Sequence, residues 1–527
     1  MVSTVDQETT ESAQEFFDVV VLGGAFSGAA LATLLKRERP EARVLILEKS
    51  TVFDRKIGES TSEVAGCFLT RVLGLSHYLA ADHFQKHGLR MWFTTPENKD
   101  ADRCSEIGPF SQARFPTYQL DRSKLDQKIL DQATSLGCEL VRPATVKSME
   151  LAGKGKNLVT YKADGQTRTI RAAWVIDASG KAALIARQRG TLKSLDAHPV
   201  HSMWVRFRNA RDLDCPTSRL DTPNMQPPPV VSRSSATNHL MGRGWWSWII
   251  PLSNGEFSAG VTWDERLCTP PSEGPIGERV KSHLLTHPIG KIMFADAEPV
   301  ENDARIYKHL PYYSSEVCGD GWIAVGDAAG FMDPLYSQGL DYCSYGICAA
   351  LSILRKDAMG SCVHEALAMH NESFSQSYHR WFNALYKNKY QYLGDARLMR
   401  AAFLLDISTY FVGPVQLVYR NTMVEFAKMP YNGPIGAAFA HFMSFYNQRL
   451  EKIARKRLQS GTYGKENLGR RYFVRVPFNA SVGALRHLTR GVAVWLSLEL
   501  ESLLQRPAPP LPAPGTDPAT ETRQAMA

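Results

Sequence analysis

The chain has 527 residues, a length that predicts either several domains or one large two-domain enzyme. Hydrophobic residues make up 44% and charged residues 22%, which is normal for a globular protein with a sizeable core. The formal net charge of +8 suits an anionic ligand such as a pyrophosphate, but no RNP-like, zinc-finger or helix-turn-helix pattern supports a nucleic-acid-binding class.

Cysteine usage and the hydropathy pattern indicate a cytoplasmic protein. The nine cysteines are scattered without a CxxC pair, which argues for free thiols and against a disulfide framework or a metal site. The N-terminus is polar and acidic, so it does not resemble a signal peptide. The run from Val19 to Leu35 is apolar, but its glycines and alanines favour a strand, a tight turn and a helix over a membrane span. We therefore predict no transmembrane segment.

The order of predicted elements divides the chain into six parts. We expect an α/β fold with a Rossmann-like domain, an additional β-sheet and a helical C-terminal region. Residues 209–240 are rich in Pro, Ser, Asp and Asn, so they predict a surface loop. The predicted parts are a disordered lead-in (1–16), the first part of an FAD-binding domain (17–200), a β-rich substrate segment (201–310), the last part of the FAD-binding domain (311–355), a helical region (356–505) and a disordered tail (506–527).

The first chemical signature is a strand, turn and helix near the N-terminus. A strand predicted from Asp18 to Leu22 enters GGAFSG, a variant of the dinucleotide fingerprint, where Gly23 makes the turn and Gly28 allows close packing. A second strand, predicted from Ala42 to Leu47, ends in Glu48, whose carboxylate can accept hydrogen bonds from ribose hydroxyls. A glycine-rich turn without a ligand is the alternative. The predicted cofactor contacts in this unit are Gly23, Ala25, Ser27, Gly28 and Glu48.

Further predicted cofactor contacts lie in distant segments. The apolar strand before Gly326 and Asp327 ends in a turn that we expect to enter a helix, and Asp327 can accept a hydrogen bond from a ribityl hydroxyl. The strand ending in Asp177 and a small-residue turn gives another contact. Arg122 is either a cofactor contact or a surface arginine at a helix start, and both interpretations remain open.

These segments, in this order, resemble the FAD-dependent aromatic hydroxylase superfamily, and one motif narrows the resemblance. The sequence Trp246-Ser247-Trp248-Ile249-Ile250-Pro251 matches WxWxIP, a signature of flavin-dependent halogenases. GDAAGFMDPLYSQG, residues 326–339, resembles a second halogenase segment. The resemblance covers about residues 17–350. A third segment resembles the flavin loop of these enzymes and adds the cofactor contacts Lys56, Ile57, Gly58 and Glu59, which are followed by Ser60.

The resemblance implies a mechanism and assigns residues to it. Reduced FAD, oxygen and chloride or bromide would give hypohalous acid, which would pass to a lysine beside an electron-rich ring. Lys86 stands at the position of that lysine, and a solvated surface lysine is the alternative interpretation. Trp246 and Trp248 would separate the substrate from the flavin, and a strand packed into the core is the alternative interpretation. The segment Ser337, Gln338 and Gly339 would hold the halide, through the backbone N–H groups of the last two.

Three positions depart from the halogenase pattern. Ala25 replaces a fingerprint glycine, and Glu63 stands where the flavin loop usually has proline. Tyr336 stands where tryptophan halogenases have a second catalytic carboxylate. The last departure argues against free tryptophan as the substrate and favours a phenol-like or pyrrole-like ring.

The sequence therefore predicts a halogenase that uses FADH2 and oxygen, with two alternatives. An FAD-dependent monooxygenase or other FAD oxidoreductase on the same scaffold is the first, and an FAD-binding pseudoenzyme is the second. Because the chain has no second glycine fingerprint, we expect a separate flavin reductase as a partner. The substrate is expected to be a small aromatic molecule, free or bound to a carrier protein. The C-terminal helices are expected to cover the substrate pocket, and basic 452–475 leaves peripheral membrane contact open, against a solvated helix face.

Overall fold

The computed structural model describes residues 14–54, 56–111, 115–214, 231–475 and 482–504. The predicted disordered tail and almost all of the predicted lead-in lie outside these residues. The strands are β1 (Phe16–Leu22), β2 (Val44–Leu47), β3 (Phe84–Lys86), β4 (Leu89–Phe93), β5 (Ser105–Pro109), β6 (Thr117–Gln119), β7 (Glu139–Val141), β8 (Thr145–Glu150), β9 (Asn157–Ala163), β10 (Gln166–Asp177), β11 (Leu192–Ser194), β12 (Val200–Arg208), β13 (Thr237–Gly242), β14 (Trp245–Pro251), β15 (Phe257–Asp264), β16 (Glu298–Pro299), β17 (Arg305–Tyr307), β18 (Tyr312–Ser314), β19 (Cys318–Gly319), β20 (Trp322–Ala324), β21 (Gly330–Phe331) and β22 (Arg471–Val474).

The helices concentrate in the last third of the chain, as the sequence predicts. The α-helices are α1 (Phe26–Glu38), α2 (Glu63–Cys67), α3 (Ser76–Asp82), α4 (Arg122–Ser135), α5 (Leu184–Gln188), α6 (Ile276–Leu284), α7 (Pro288–Phe294), α8 (Gly339–Ala358), α9 (His364–Leu385), α10 (Ala396–Tyr410), α11 (Gln416–Arg420), α12 (Thr422–Phe426), α13 (Gly433–Gln459) and α14 (Val482–Leu504). Two π-helical turns, Phe68–Val72 and Phe411–Val415, continue α2 and α10.

The first sheet assembles the distant cofactor segments. Its central order is β19-β20-β10-β1-β2-β7, and β1 pairs in parallel with both β2 and β10. In β1 the residues Val19–Leu22 are almost fully buried, because α1 packs on the sheet. The carboxyl ends of β1, β2, β10 and β20 therefore meet at one edge, which brings together the turns that the sequence analysis selected.

The second sheet is larger than the predicted β-rich segment. Its order is β16-β12-β15-β14-β13-β4-β5-β22, with β17 paired to β12. The antiparallel pairing of β12, β13, β14 and β15 follows the expected pattern. Strands β4, β5 and β22 lie outside residues 201–310 of the sequence. They extend this sheet through the parallel pairing of β4 with β13 and of β22 with β5.

Two local predictions are wrong. The predicted surface loop 209–240 holds only in part: residues 215–230 lie outside the described residues, and Arg233 and the start of β13 are buried. The polar composition predicted an exposed segment, but Arg233 is buried because it forms an ion pair with buried Glu106. The predicted helix after Gly326 is a short 3₁₀ turn, Gly326–Ala328, and the long helix α8 begins only at Gly339.

One helical stretch, Ala396–Arg420, is long and apolar enough to cross a membrane within the described ranges. Most of it is buried inside the protein, which is typical of a core helix. In the described residues the cysteines are free, as the sequence predicts, and no group of three or more His, Cys, Asp or Glu side chains is placed to hold a metal ion.

Candidate active site

The glycine turn between β1 and α1 has the backbone that a dinucleotide fingerprint requires. Gly23 has φ 109°, which a side chain rarely allows. A Cβ on Gly28 would lie 1.9 Å from the carbonyl oxygen of Gly23, so only glycine fits there. Ala25 is the residue before α1 and has extended backbone, so its methyl group is tolerated. The turn therefore presents the first N–H groups of α1, which have no acceptor within the helix.

The carboxylate of Glu48 lies beside this turn. One oxygen accepts a hydrogen bond from the N–H of Gly24 at 2.7 Å, and the other accepts from the N–H of Ser50 at 2.8 Å. A carboxylate has about four lone-pair sites, so further acceptor capacity remains for ribose hydroxyls. The position of Glu48 agrees with its predicted role.

The segment around Gly326 packs directly against the glycine turn. A Cβ on Gly326 would lie 2.3 Å from Oγ of Ser27, so these two segments are in close contact. Asp327 is half-buried, and burial raises the pKa of its carboxyl, while nearby Arg122 opposes that shift. Ser27, Arg122 and Asp327 therefore form one polar group at the sheet edge.

Arg122 holds the loop that precedes α2. Its guanidinium donates to both oxygens of Asp126, at 2.9 and 3.1 Å, and to the carbonyl oxygens of Ile57 and Gly58, at 3.2 and 3.4 Å. The surface-arginine interpretation is wrong, because the side chain is 8% exposed. Its contacts in this structure position the loop 57–58.

Other predicted contacts of this group have partners within the protein. The carboxylate of Glu59 pairs with Arg206, which also binds Asp303 at 2.8 Å. Lys56 lies over the ring of Phe53 at 5.0 Å. Asp177 accepts hydrogen bonds from the N–H groups of Ser179 and Ile185, at 3.0 and 2.7 Å, so its carboxylate fixes its own turn.

These features fit FAD. The α1 N-terminus offers backbone N–H groups for a pyrophosphate, Glu48 offers an acceptor for ribose, and no acidic residue stands in the first turn of α1. A Cβ on Gly339 would meet no protein atom within 4 Å, so open space faces the start of α8. The structure therefore offers backbone donors for a pyrophosphate at the start of α1 and open space beside the start of α8.

A chamber lies between this region and the C-terminal helices. Its space free of protein atoms is about 790 Å³, open solvent at its mouth included. Residues from the flavin loop, β3 and the turn before α8 line one side, and residues of α10 and α13 line the other. The chamber residues are Thr61, Ser62, Glu63, Lys86, Gly88, Leu89, Pro109, Thr117, Tyr336, Gln338, Leu385, Phe403, Asp406, Ile407, Tyr410, Phe411, Tyr431, Met443 and Val474.

Lys86 is a buried cation in the chamber wall. Its side chain is 4% exposed, and Nζ donates a hydrogen bond to the carbonyl oxygen of Thr61 at 2.6 Å. Burial lowers the pKa of Lys86 to about 8, while Glu63 and Asp341 raise it. The solvated-lysine alternative is therefore wrong, and with a pKa of about 8 roughly a tenth of the lysine is free amine at pH 7.

Two carboxyl groups accompany Lys86. Glu63 lines the chamber, and its pKa is raised by burial and lowered by Lys86. Asp341 accepts hydrogen bonds from Ser62, from the N–H of Ala65 at 2.8 Å and from Tyr410 at 3.0 Å. Burial raises the pKa of Asp341 to about 7. The flavin loop, α8 and α10 are thus tied together beside the lysine.

The predicted halide turn has strained backbone. Tyr336 has φ 70° and Ser337 has φ 62°, so two consecutive non-glycine residues lie in the left-handed region. Oε1 of Gln338 accepts hydrogen bonds from Trp381 at 2.9 Å and Tyr386 at 3.2 Å. The N–H of Gly339 is in the first turn of α8 and has no acceptor within that helix. The turn therefore offers backbone donors next to the chamber.

A buried network of charged and hydroxyl groups lies at the chamber wall that α10 and α13 form. Asp406 accepts hydrogen bonds from Tyr336 at 2.9 Å and Lys389 at 2.6 Å, and also from Tyr446. Lys389 is fully buried, so Asp406 compensates its charge. The hydroxyl of Tyr336 thus connects the halide turn to α10 and α13.

The two tryptophans of the WxWxIP motif are buried behind the chamber. Their rings lie 5.9 Å apart, and neither is among the chamber residues in the described part of the chain. Nε1 of Trp246 donates to the hydroxyl of Tyr390 at 3.0 Å, which donates to Asp333 at 2.7 Å. Trp246 is therefore linked to the segment that leads into the halide turn, and its separating role stays a prediction.

Sequence reasoning missed the residues that α10 and α13 contribute. Tyr410 and Asp406 were not selected, because the C-terminal third carries no motif. One signal was available: Asp406 is a lone carboxylate in the apolar run LLDIS, and a carboxylate in such a helix is expected to have a buried partner.

Comparison with known proteins agrees with this geometry. The sequence model of the family described as "Tryptophan halogenase" matches residues 85–386, more than half of the chain. The chain belongs to the tryptophan halogenase family. The predicted flavin-dependent halogenase resemblance, the fold class and the enzyme class are confirmed.

Two curated relatives illustrate the range of this family. The tetracycline 7-halogenase of Kitasatospora aureofaciens is 25% identical over 449 residues, covering 80% of this chain and 78% of the relative. The 1H-pyrrole-2-carbonyl-[peptidyl-carrier protein] chlorinase of Pseudomonas fluorescens is 25% identical over 397 residues, covering 71% of this chain and 80% of the relative.

Solved structures share the fold. Halogenase PltM in complex with phloroglucinol and FAD has a TM-score of 0.71 at 16% identity, covering 92% of this chain and 96% of that chain. The flavin-dependent brominase Bmp2 has a TM-score of 0.59 at 21% identity, covering 82% of this chain and all of that chain. With 92% of this chain covered, the likeness to PltM extends well beyond residues 17–350, where the motifs lie.

Proposed function

We propose that this protein uses reduced FAD, oxygen and chloride or bromide to halogenate an electron-rich aromatic ring in the chamber beside Lys86. One observation carries the proposal: buried Lys86 lines the same chamber as Tyr336 and Gln338 of the strained turn. When bound, reduced FAD supplies the oxygen chemistry that converts a halide to hypohalous acid. The relatives named above, which act on tetracycline or carrier-bound pyrrole or bind phloroglucinol, support this function.

Residues of this chain bind the cofactor, bind the halide and orient the oxidised halogen. Gly23, Gly28 and Glu48 would hold the nucleotide end of FAD, and Arg122 and Asp327 would be further contacts. The N–H groups of Gln338 and Gly339 bind the halide. Lys86 then orients the oxidised halogen, either by donating a hydrogen bond from the ammonium or by forming an N–halogen bond from the amine.

The substrate is a phenol-like or pyrrole-like ring. Tyr336 occupies the position at which tryptophan halogenases have a carboxylate, and its hydroxyl is bound to Asp406. The residue directly before Ser337 is thus not a carboxylate. In the chamber, the carboxylate beside Lys86 is that of Glu63. A separate flavin reductase supplies reduced FAD, and free cysteines support a cytoplasmic location.

Product analysis tests this function. Purified protein, chemically reduced FAD, oxygen and bromide would be incubated with a panel of phenols, pyrroles and indoles, and products identified by mass spectrometry. We expect monobrominated phenols or pyrroles and no bromination of free tryptophan. A product that carries only oxygen would support the monooxygenase alternative, and stoichiometric FAD binding without any product would support the pseudoenzyme.

A further inference from the structure

A second cavity, the outer cleft, lies between α8, α9, α13 and the π-helical turn Phe411–Val415. Its space free of protein atoms is about 1620 Å³, open solvent at its mouth included, and it reaches the surface, where Ile435 is 75% exposed. Its floor is apolar, with Ala349, Ile353 and Val412 among the lining residues. Exposed apolar side chains around a concave surface indicate a binding site.

The outer cleft offers no net charge in its interior. Lys356 lines the cleft but is exposed, and Glu425 pairs with Lys428 at 3.0 Å. His370 is buried, and burial lowers its pKa to about 4, so its ring is neutral at pH 7. An uncharged apolar ligand therefore fits this cleft better than an anion does.

The outer cleft and the chamber share one wall. Tyr431 is the residue common to both linings in the described part of the chain. On one helical stretch, Ile407 and Phe411 face the chamber, whereas Val412 and Pro414 face the outer cleft. The two cavities therefore adjoin at this helical stretch and at Tyr431.

This wall has two irregular features. The helix is π-helical at Phe411–Val415 and contains Pro414, and such turns occur often at functional sites. Tyr431 has φ 60°, and Gly436 makes room for its backbone because a Cβ there would lie 2.6 Å from the carbonyl carbon of Tyr431. The hydroxyl of Tyr431 is buried without a hydrogen-bond partner, and its ring packs on Trp381 with centroids 5.3 Å apart. The position of this ring is therefore fixed by packing and not by a hydrogen bond of its hydroxyl.

We propose that the outer cleft binds an apolar chain attached to the ring that is halogenated in the chamber, with the chain passing at Tyr431. The substrate class is then an electron-rich phenol or pyrrole bearing an aliphatic tail. The assignment of the ring rests on the proposed function, whereas binding of the tail does not.

Binding of 4-alkylphenols from methyl to octyl to the FAD-loaded protein, measured by calorimetry, tests this proposal. Each methylene that enters the cleft should raise affinity roughly threefold. Ile435→Glu places a charge at the rim and should flatten this dependence, and Ala366→Trp should flatten it by filling the cleft. Met359→Glu is the matched control, since Met359 is 68% exposed and lies outside the lining. It should keep the wild-type dependence.

The results separate this proposal from the proposed function. An affinity independent of chain length, or a dependence that survives in both Ile435→Glu and Ala366→Trp, would overturn the proposal. Bromination of 4-methylphenol, assayed in parallel, tests the function alone. Chain-length-dependent binding without bromination would support the tail site and contradict the halogenase, whereas bromination without chain-length dependence would do the reverse.

Discussion

The proposed function consists of two events, flavin reoxidation and halogen transfer, and Lys86 is required for only the second. Reoxidation of the flavin needs the cofactor and oxygen, but transfer of the halogen needs an oriented group beside the ring. Lys86→Ala should keep FAD binding and the wild-type rate of flavin reoxidation while losing halogenated product about 100-fold or more. Absorbance at the flavin band and product by mass spectrometry measure the two events.

The variant Lys86→Arg tests whether a cation alone is sufficient at this position. Lys86→Arg keeps a cation, but its guanidinium does not lose a proton and cannot readily form an N–halogen bond. We expect it to fail like Lys86→Ala. Wild-type product formation by Lys86→Ala would show that the lysine assignment is wrong.

The pH dependence of halogen transfer should follow Lys86. If the amine reacts, product per flavin reoxidised should rise with pH through the pKa of about 8 and level off above it. Glu63 raises the pKa of Lys86, so Glu63→Gln should lower that pKa and move the rise to lower pH. Product yields between about pH 6 and pH 10 would measure this. A profile that falls with rising pH would indicate the ammonium form instead.

At the scale of elements, the close contact of α1 with β1 makes Gly28 indispensable. Any Cβ at Gly28 would overlap the carbonyl oxygen of Gly23, and a branched side chain would also obstruct phosphate approach. Gly28→Val should abolish FAD binding, measured by fluorescence titration. Circular dichroism controls for folding, and a folded Gly28→Val protein with wild-type affinity would refute the predicted cofactor turn.

Asp406 connects the halide turn, α10 and α13. Asp406→Asn would leave the fully buried ammonium of Lys389 without a counter-charge, which should destabilise the protein by about 3–5 kcal/mol. Tyr336→Phe removes one hydrogen bond of the same network and should cost only about 1 kcal/mol. Urea unfolding midpoints compare the two variants, and equal losses would contradict the charge argument.

Local elements followed from sequence because their causes are local. The glycine turn and Glu48 after β2 are each specified by neighbouring residues, whereas the turn before α8 followed from the family resemblance and its strain was not predicted. The second strand begins at Val44 and not at Ala42, since element ends depend on tertiary pairing. The Asp406 network was not predictable, because its partners lie on separate helices and meet only through packing.

At the scale of the whole molecule, the sequence predicted a Rossmann-like fold with C-terminal helices over the substrate pocket, but not which strands and helix residues bring them there. Strand β22 adds to the second sheet at β5, so the C-terminal region is tied back to the middle of the protein. Residues of α10 and α13 then form one chamber wall. No motif in the C-terminal third encodes this, and the domain boundaries proposed from sequence stay predictions.

The halide requirement tests the central claim most directly. Wild-type protein with reduced FAD, oxygen and a phenol or pyrrole that it converts would be assayed with bromide, with chloride and with neither, and each product's mass determined. The account predicts a product whose added mass and isotope pattern follow the halide supplied, and no oxidised product when halide is absent. A hydroxylated product formed at the same rate without halide would contradict it.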